Sequence, residues 1–156
     1  VFSQTEKTLL IDANLRNPSI GEYYNLDQSM TGWSNYIIEE KTLFNCIYEQ
    51  GENCPDILLV GNKNLNPQEV LSSIKFDKMI TELEGRYDRI IIDTPPTLVA
   101  NDSLIISKIC NNVVIVLQSN NTRLQSLRNV IAKFKKHEVN VSGVVINKIN
   151  KRFFTS

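Results

Sequence analysis

The sequence predicts an α/β fold: a doubly wound, mainly parallel sheet with helices on both faces. Three observations predict it. Apolar runs at 8–11, 57–60, 90–92, 113–117 and 143–146 alternate with segments of helical character, the order expected of parallel strands and their covering helices. Residues 90–92 are consecutive isoleucines, and an unbroken β-branched run suits a strand buried on both faces. Pro95 and Pro96 cannot extend a ladder, so this strand ends at Asp93-Thr94. A carboxylate is thereby delivered to the carboxyl edge of the sheet, where such folds bind their ligands.

In chain order, the first strand is Thr8-Leu-Leu-Ile, which runs into Asp12 and a loop carrying Asn14, Arg16 and Pro18. Between residues 20 and 53, Asn25, Asp27, Gln28 and Ser29 favour a loop, while Trp33, Tyr36, Ile37 and Ile38 favour a short helix with Trp33 as a packing anchor. Tyr23 and Tyr24 flank that loop; tyrosines so placed are more often packing residues than phosphoacceptors. Asn66-Pro67-Gln68-Glu69 reads as a helix start: an N-cap, proline at the first position and an acid at the capping-box position. Phe76, Met79, Ile80 and Leu83 follow at helical spacing as a core stripe, and Gly85 suits the C-terminal cap. Thr122 can cap a further helix with apolar face Leu124, Leu127, Ile131 and Phe134 and a solvated face of Lys133, Lys135 and Lys136. His137, at the end of that helix, favours its dipole when charged and is no catalytic candidate.

Composition bounds the classes available. The 156 residues suit one domain with a sizeable core, and no repeat, low-complexity tract or Ser/Gly linker divides 1–156. Seventeen basic and seventeen acidic residues cancel, which gives no nucleic-acid surface. Cys46, Cys54 and Cys110 are odd in number and lack C-x-x-C spacing, so they read as reduced cytoplasmic thiols, not a disulfide frame or zinc site. No signal peptide and no apolar run of membrane-spanning length is present.

The chemistry lies in two strands of one design. Leu9-Leu-Ile-Asp12 and Ile90-Ile-Ile-Asp93 each end on an acid, at what is expected to be the same edge of one sheet. A hydrophobic strand ending in Asp is the Walker B pattern, in which the acid helps hold a nucleotide's magnesium ion. Alone, Asp93 reads equally as a strand end closed by an Asp-Pro turn. Paired carboxylates with Arg16 beside them suit magnesium and phosphate better than a core.

With these motifs the chain resembles the bacterial tyrosine kinases of capsule and exopolysaccharide production, relatives of the septum-site and chromosome-partitioning ATPases. Leu-Ile-Asp12-Ala-Asn14-Leu-Arg16 is similar to the family's Walker A-prime motif, hydrophobics then Asp-x-Asp-x-Arg. Residues 90–96 match its Walker B motif in full, and Asp102 stands where the family usually has another acid. Asn66-Pro-Gln-Glu-Val-Leu-Ser-Ser73 resembles an Asn-Pro-x-Glu-Leu-Leu-x-Ser element, and Gly143-Val-Val-Ile-Asn147 a late strand. The resemblance runs from about Lys7 to Lys148.

It implies a P-loop ATPase-type fold of the partitioning branch and magnesium-dependent transfer of the γ-phosphoryl group of ATP to tyrosine. Asp93 would hold Mg2+ through water, and Asp12 would hold it or accept the tyrosine proton. Arg16 would reach phosphate or a neighbouring subunit. Asn14, Asp102 and Asn147 would contribute to the nucleotide site, Asn147 near the adenine. Asn14 departs from the family's second acid and removes one negative charge. The implied partners are a tyrosine-bearing protein or a neighbouring copy in a homo-oligomer, and a membrane adaptor of polysaccharide export. The implied location is the cytoplasm, at the inner face of the plasma membrane, through a partner or through sequence not present here.

One family feature is missing. None of Gly21, Gly32, Gly51, Gly61, Gly85 or Gly143 begins a Gly-Lys-Ser or Gly-Lys-Thr, so no phosphate loop is present. The chain opens Val1-Phe2-Ser3-Gln4, similar to the tail of the helix that follows the loop in the family. The expectation is a fragment lacking one N-terminal βα unit, roughly 30 residues, and inactive by itself. The family's C-terminal tyrosine cluster is also absent, Tyr87 being the last tyrosine. Two alternatives remain: a partitioning-type ATPase that phosphorylates no protein, and a non-catalytic regulatory remnant that binds a polysaccharide-assembly partner.

Overall fold

The computed structural model describes residues 2–27, 29–39, 41–62, 64–98 and 100–149. Gln28 of the expected loop lies outside the described residues. The chain divides between Pro96 and Thr97 into two compact units.

In the first unit, a 3-10 turn at Phe2–Gln4 leads into strand β1 (Thr8–Asp12). Helix α1 (Ile20–Tyr23) and helix α2 (Trp33–Glu39) follow, then a 3-10 turn and the short strand β2 (Ile47–Tyr48). Strand β3 (Asp56–Leu58), helices α3 (Pro67–Leu71) and α4 (Ile74–Glu84) and strand β4 (Arg89–Asp93) complete it. The sheet order is β2-β3-β1-β4. β1 pairs in parallel with β3 and β4, whereas β2, which sequence periodicity did not reveal, pairs antiparallel with β3.

Position in the sheet decides burial. β1 is central, so Leu9 and Ile11 are fully buried, as are Ile57, Leu58, Trp33, Phe76, Met79 and Leu83. Burial of each such side chain stabilises by roughly 1.5–3 kcal/mol. The Trp33 and Phe76 rings pack edge to face, 5.3 Å apart. The isoleucines of β4 do not follow the expectation of burial on both faces: Ile90 and Ile92 are half-buried and Ile91 is 41% exposed. The cause is that, among the described residues, β4 ends the order of strands and pairs with β1 alone.

The core stripe Phe76, Met79, Ile80 and Leu83 is buried as expected, but the helix it sits on does not begin at Asn66. Asn66 caps α3, its Oδ1 accepting from the Gln68 N–H at 3.2 Å. The Ser72 and Ser73 hydroxyls then donate back to the Gln68 and Val70 carbonyls, competing with the helical ladder. Ser73 caps the new helix α4, its Oγ accepting from the Phe76 N–H at 3.2 Å. Gly85 closes α4 at φ −71°, so its left-handed freedom is not used.

The second unit holds helix α5 (Asp102–Ser107), strand β5 (Val113–Gln118), helix α6 (Leu124–Lys136) and strand β6 (Val141–Asn147). β5 and β6 pair in parallel. Leu104, Val130 and Phe134 form its core, with Val113, Ile115, Val139 and Val141 packed around them. The face of α6 is therefore rotated from the expected one: Val130 and Phe134 are buried, while Leu124 and Ile131 are exposed. Thr122 does not cap α6. Arg123 holds that position, and the Thr122 hydroxyl instead accepts from the Gln118 N–H at 3.1 Å. Lys133 is not simply solvated either, because its Nζ donates to Asn101 Oδ1 at 2.8 Å. Among the described residues no helix is long and apolar enough to cross a membrane.

Candidate functional site

The parallel pairing of β1 with β4 sets Asp12 directly opposite Asp93, and the Ala13 N–H donates to the Asp93 carbonyl at 2.9 Å. Strands so paired lie about 4.8 Å apart, so both acids occupy one spot on the carboxyl edge. The two motifs that sequence separated by eighty positions thus converge.

Their environments differ. Asp12 is fully buried. Its Oδ1 accepts from the Asn14 N–H, and its Oδ2 accepts from the Ser19 and Ile20 N–H groups, each at 3.1 Å. The loop from Ala13 to Ser19 is therefore folded around this carboxylate, which also holds the first turn of α1. Behind it, the Trp33 indole N–H donates to the Asp12 carbonyl at 2.8 Å. Amide partners of this kind leave no signature in sequence, and the part they play in holding Asp12 was missed there. Only Trp33 carried a signal, and it was read there as a packing anchor.

Asp93 is solvent-accessible at the end of β4. Desolvation by the atoms packed around its carboxyl raises its pKa above the ordinary aspartate value, the negative charge of Asp12 adds to the rise, and the Thr94 N–H opposes it. A cation placed here would relieve that repulsion, so a divalent metal fits the Asp93 side of the pair. Among the described residues no cluster of three or more His, Cys, Asp or Glu could hold a metal by itself. Any ion held here would thus need ligands from a nucleotide or water, as magnesium in phosphoryl-transfer sites usually has.

The remaining predicted residues divide by unit. Asn14 is half-buried in the loop after β1, and its Oδ1 accepts from the Asn17 N–H at 3.1 Å. Arg16 is exposed on the same loop. Asp102 and Asn147 belong to the second unit. Asp102 is fully buried in the first turn of α5. Asn147 ends β6, exposed, with its carbonyl accepting from the Ser119 N–H at 2.9 Å and its Oδ1 from the Lys148 N–H at 2.7 Å.

Known proteins share this fold. The family described as "AAA domain" matches residues 1–145. Tyrosine-protein kinase CpsD of Streptococcus agalactiae is 30% identical over 151 residues, 96% of this chain and 65% of its own length. The crystal structure of the VpsO kinase domain superposes with a TM-score of 0.91 at 37% identity, covering 96% of this chain and 73% of that one. The chain belongs to the bacterial tyrosine kinase family, in the P-loop ATPase superfamily.

MinD of Pyrococcus horikoshii, solved with Mg-ADP, shares the fold at a TM-score of 0.73 and 21% identity, over 95% of this chain and 60% of that one. The chain spans 21% to 65% of the length of the first curated tyrosine kinases it matches. In this member of the family, Asp12 and Asp93 end paired strands side by side, and the rest of each motif continues into the loop that follows.

Proposed function

We propose that this chain is part of a magnesium- and ATP-dependent protein-tyrosine kinase that acts in capsule or exopolysaccharide assembly. The observation that carries this reading is the Asp12–Asp93 pairing, with the Asp93 carboxyl raised by burial and by Asp12. Magnesium supplies charge neutralisation on the phosphates when bound. Asp93 would hold it, and Asp12 would add negative charge on the metal's side or take the tyrosine proton while fixing the loop that follows. Arg16 meets phosphate or a neighbouring subunit. Asn14 contributes to the nucleotide site from the same loop. Catalysis of this type is mainly positioning and electrostatics, which a rigid strand pair supports.

The 156 residues contain no G-x-x-x-x-G-K turn, so by themselves they bind Mg-ATP weakly and transfer no phosphate. A dissociation constant in the micromolar range, about −8 kcal/mol, measured by calorimetry on these residues alone, would overturn that statement. In the working protein we place the chain in the cytoplasm at the inner face of the plasma membrane, in a homo-oligomer, engaged with a membrane adaptor and phosphorylating tyrosine on a protein or on a neighbouring copy.

A second reading is a non-catalytic regulatory module. It is favoured by the commitment of Asp12 and Asn14 oxygens to backbone amides of their own loop. A partitioning-type ATPase is the third, favoured by the MinD-like fold. Protein expressed from its complete reading frame and incubated with Mg-ATP decides among them. Phosphotyrosine supports the kinase, ATP hydrolysis without phosphotyrosine the partitioning ATPase, and neither the regulatory module.

A further inference from the structure

The kinase reading leaves open which tyrosine is phosphorylated, and the surroundings of the five tyrosines of the chain narrow the choice. Tyr87 is buried, and its hydroxyl donates to Asp56 Oδ2 at 2.8 Å. Burial first, then that hydrogen bond, pushes its phenol well above the usual value and makes it a poor nucleophile. Tyr48 is half-buried, with its hydroxyl donating to the Thr31 carbonyl at 2.7 Å. Tyr24 and Tyr36 are half-buried. Tyr23 is 82% exposed, although its ring packs edge to face on Tyr24 at a centroid distance of 5.2 Å.

Its backbone setting is equally distinctive. Tyr23 is the last residue of α1, a helix of four residues. Its N–H reaches the Ser19 carbonyl at a long 3.4 Å, and Asn25 beyond it sits in the left-handed region at φ 54°. A single helical turn has little cooperative stability, and Asp12 holds only its start, so its C-terminal end at Tyr23 opens at small cost. A phosphoacceptor must leave its own surface and extend into another active site. Of the five tyrosines, Tyr23 meets both requirements.

We propose that Tyr23 is a phosphoacceptor of this chain, modified by the tyrosine kinase activity proposed above, on which this inference rests. Its phenolic oxygen attacks the γ-phosphorus of ATP, the bond from that phosphorus to the ADP oxygen breaks, ADP leaves, and the phenolic proton passes to a base or to solvent. The product adds a charge of about −1.5 to −2 beside Glu22, on the helix whose first amide is held by Asp12.

The test uses protein from the complete reading frame, Mg-ATP and an added glutamate–tyrosine copolymer, with mass spectrometry of the tryptic peptide Asn17–Lys41. The expected result is phosphate on Tyr23, lost in Tyr23→Phe and kept in Tyr24→Phe, with copolymer phosphorylation unchanged in both variants. A phosphorylated copolymer with this peptide unmodified, or modified at Tyr24 or Tyr36 only, overturns the Tyr23 assignment and leaves the kinase reading standing. Loss of copolymer phosphorylation in Tyr23→Phe also overturns it, because Tyr23 would then serve the reaction itself. If neither copolymer nor chain is phosphorylated, the kinase reading fails and this inference fails with it.

Discussion

Asp12 and Asp93 face each other across two parallel strands, yet one is buried among three backbone amides and the other stands at the solvent edge. Two acids at matching strand ends therefore differ in setting: Asp12 holds the loop that follows it, and Asp93 stays accessible, as the metal role proposed for it requires.

Exchange of Asp93 for Asn removes the charge proposed to face magnesium without removing a core side chain. In protein from the complete reading frame, phosphotyrosine formation should fall at least a hundredfold, about 3 kcal/mol, while circular dichroism stays unchanged. Asn14→Asp keeps the acceptor for the Asn17 N–H and adds the missing charge, so it should raise the rate. Normal turnover in the first variant, or a slower one in the second, would show the metal assignment to be wrong.

The same carboxyl makes a prediction about pH. Its folded pKa lies above the unfolded value of about 3.9, so the folded chain binds this proton more tightly than the unfolded one. The stability it contributes is complete below the unfolded value and is lost as pH rises through the folded pKa. Asp93→Asn lacks that loss. The Tm of the variant relative to the parent should rise as pH is taken from about 3.5 to neutrality, and a flat difference would contradict the geometry.

Asp12→Ala should act on the fold itself. It strands the Asn14, Ser19 and Ile20 amides, each worth about 1–3 kcal/mol if left dry. Water will reach some of them, so a net loss of at least about 2 kcal/mol is expected in urea unfolding. Parent-like stability would mean that the loop does not depend on this carboxylate.

Two glycines with positive φ separate steric from torsional cost. At Gly61 (φ +82°) an added Cβ would lie 2.1 Å from Asn35 Oδ1 and 2.6 Å from the Gly32 nitrogen, whereas at Gly51 (φ +88°) it would meet nothing within 4 Å. Gly51→Ala should cost only the left-handed penalty, about 1–2 kcal/mol. Gly61→Ala should cost clearly more, since Asn35, which caps the Gly32 N–H, must move. Equal midpoints in urea would refute the close packing of these loops.

Among the described residues β4 is the last strand of its sheet and its Ile91 is 41% exposed, and an apolar strand with an unpaired edge is a template for another chain. The 156-residue chain should associate in a concentration-dependent way, and Ile91→Lys should weaken that association in light scattering. A chain that stays monomeric at high concentration would show that this edge is not sticky.

Sequence by itself determined which segments become β1, β3, β4, β5 and β6, because apolar β-branched runs and the prolines that stop them act locally. It also determined that Asp12 and Asp93 end strands, and that Phe76, Met79, Ile80 and Leu83 form a core face. The antiparallel β2 was illegible because two residues carry no period. The break at Ser72-Ser73 escaped notice because hydroxyl-to-carbonyl bonds compete with the helix only once the turn is formed. Tertiary structure alone decided the rest. Neighbours belong to distant parts of the chain, so only folding could set Asp12 opposite Asp93, bury Asp12 among amides and expose Tyr23 while Tyr87 is buried.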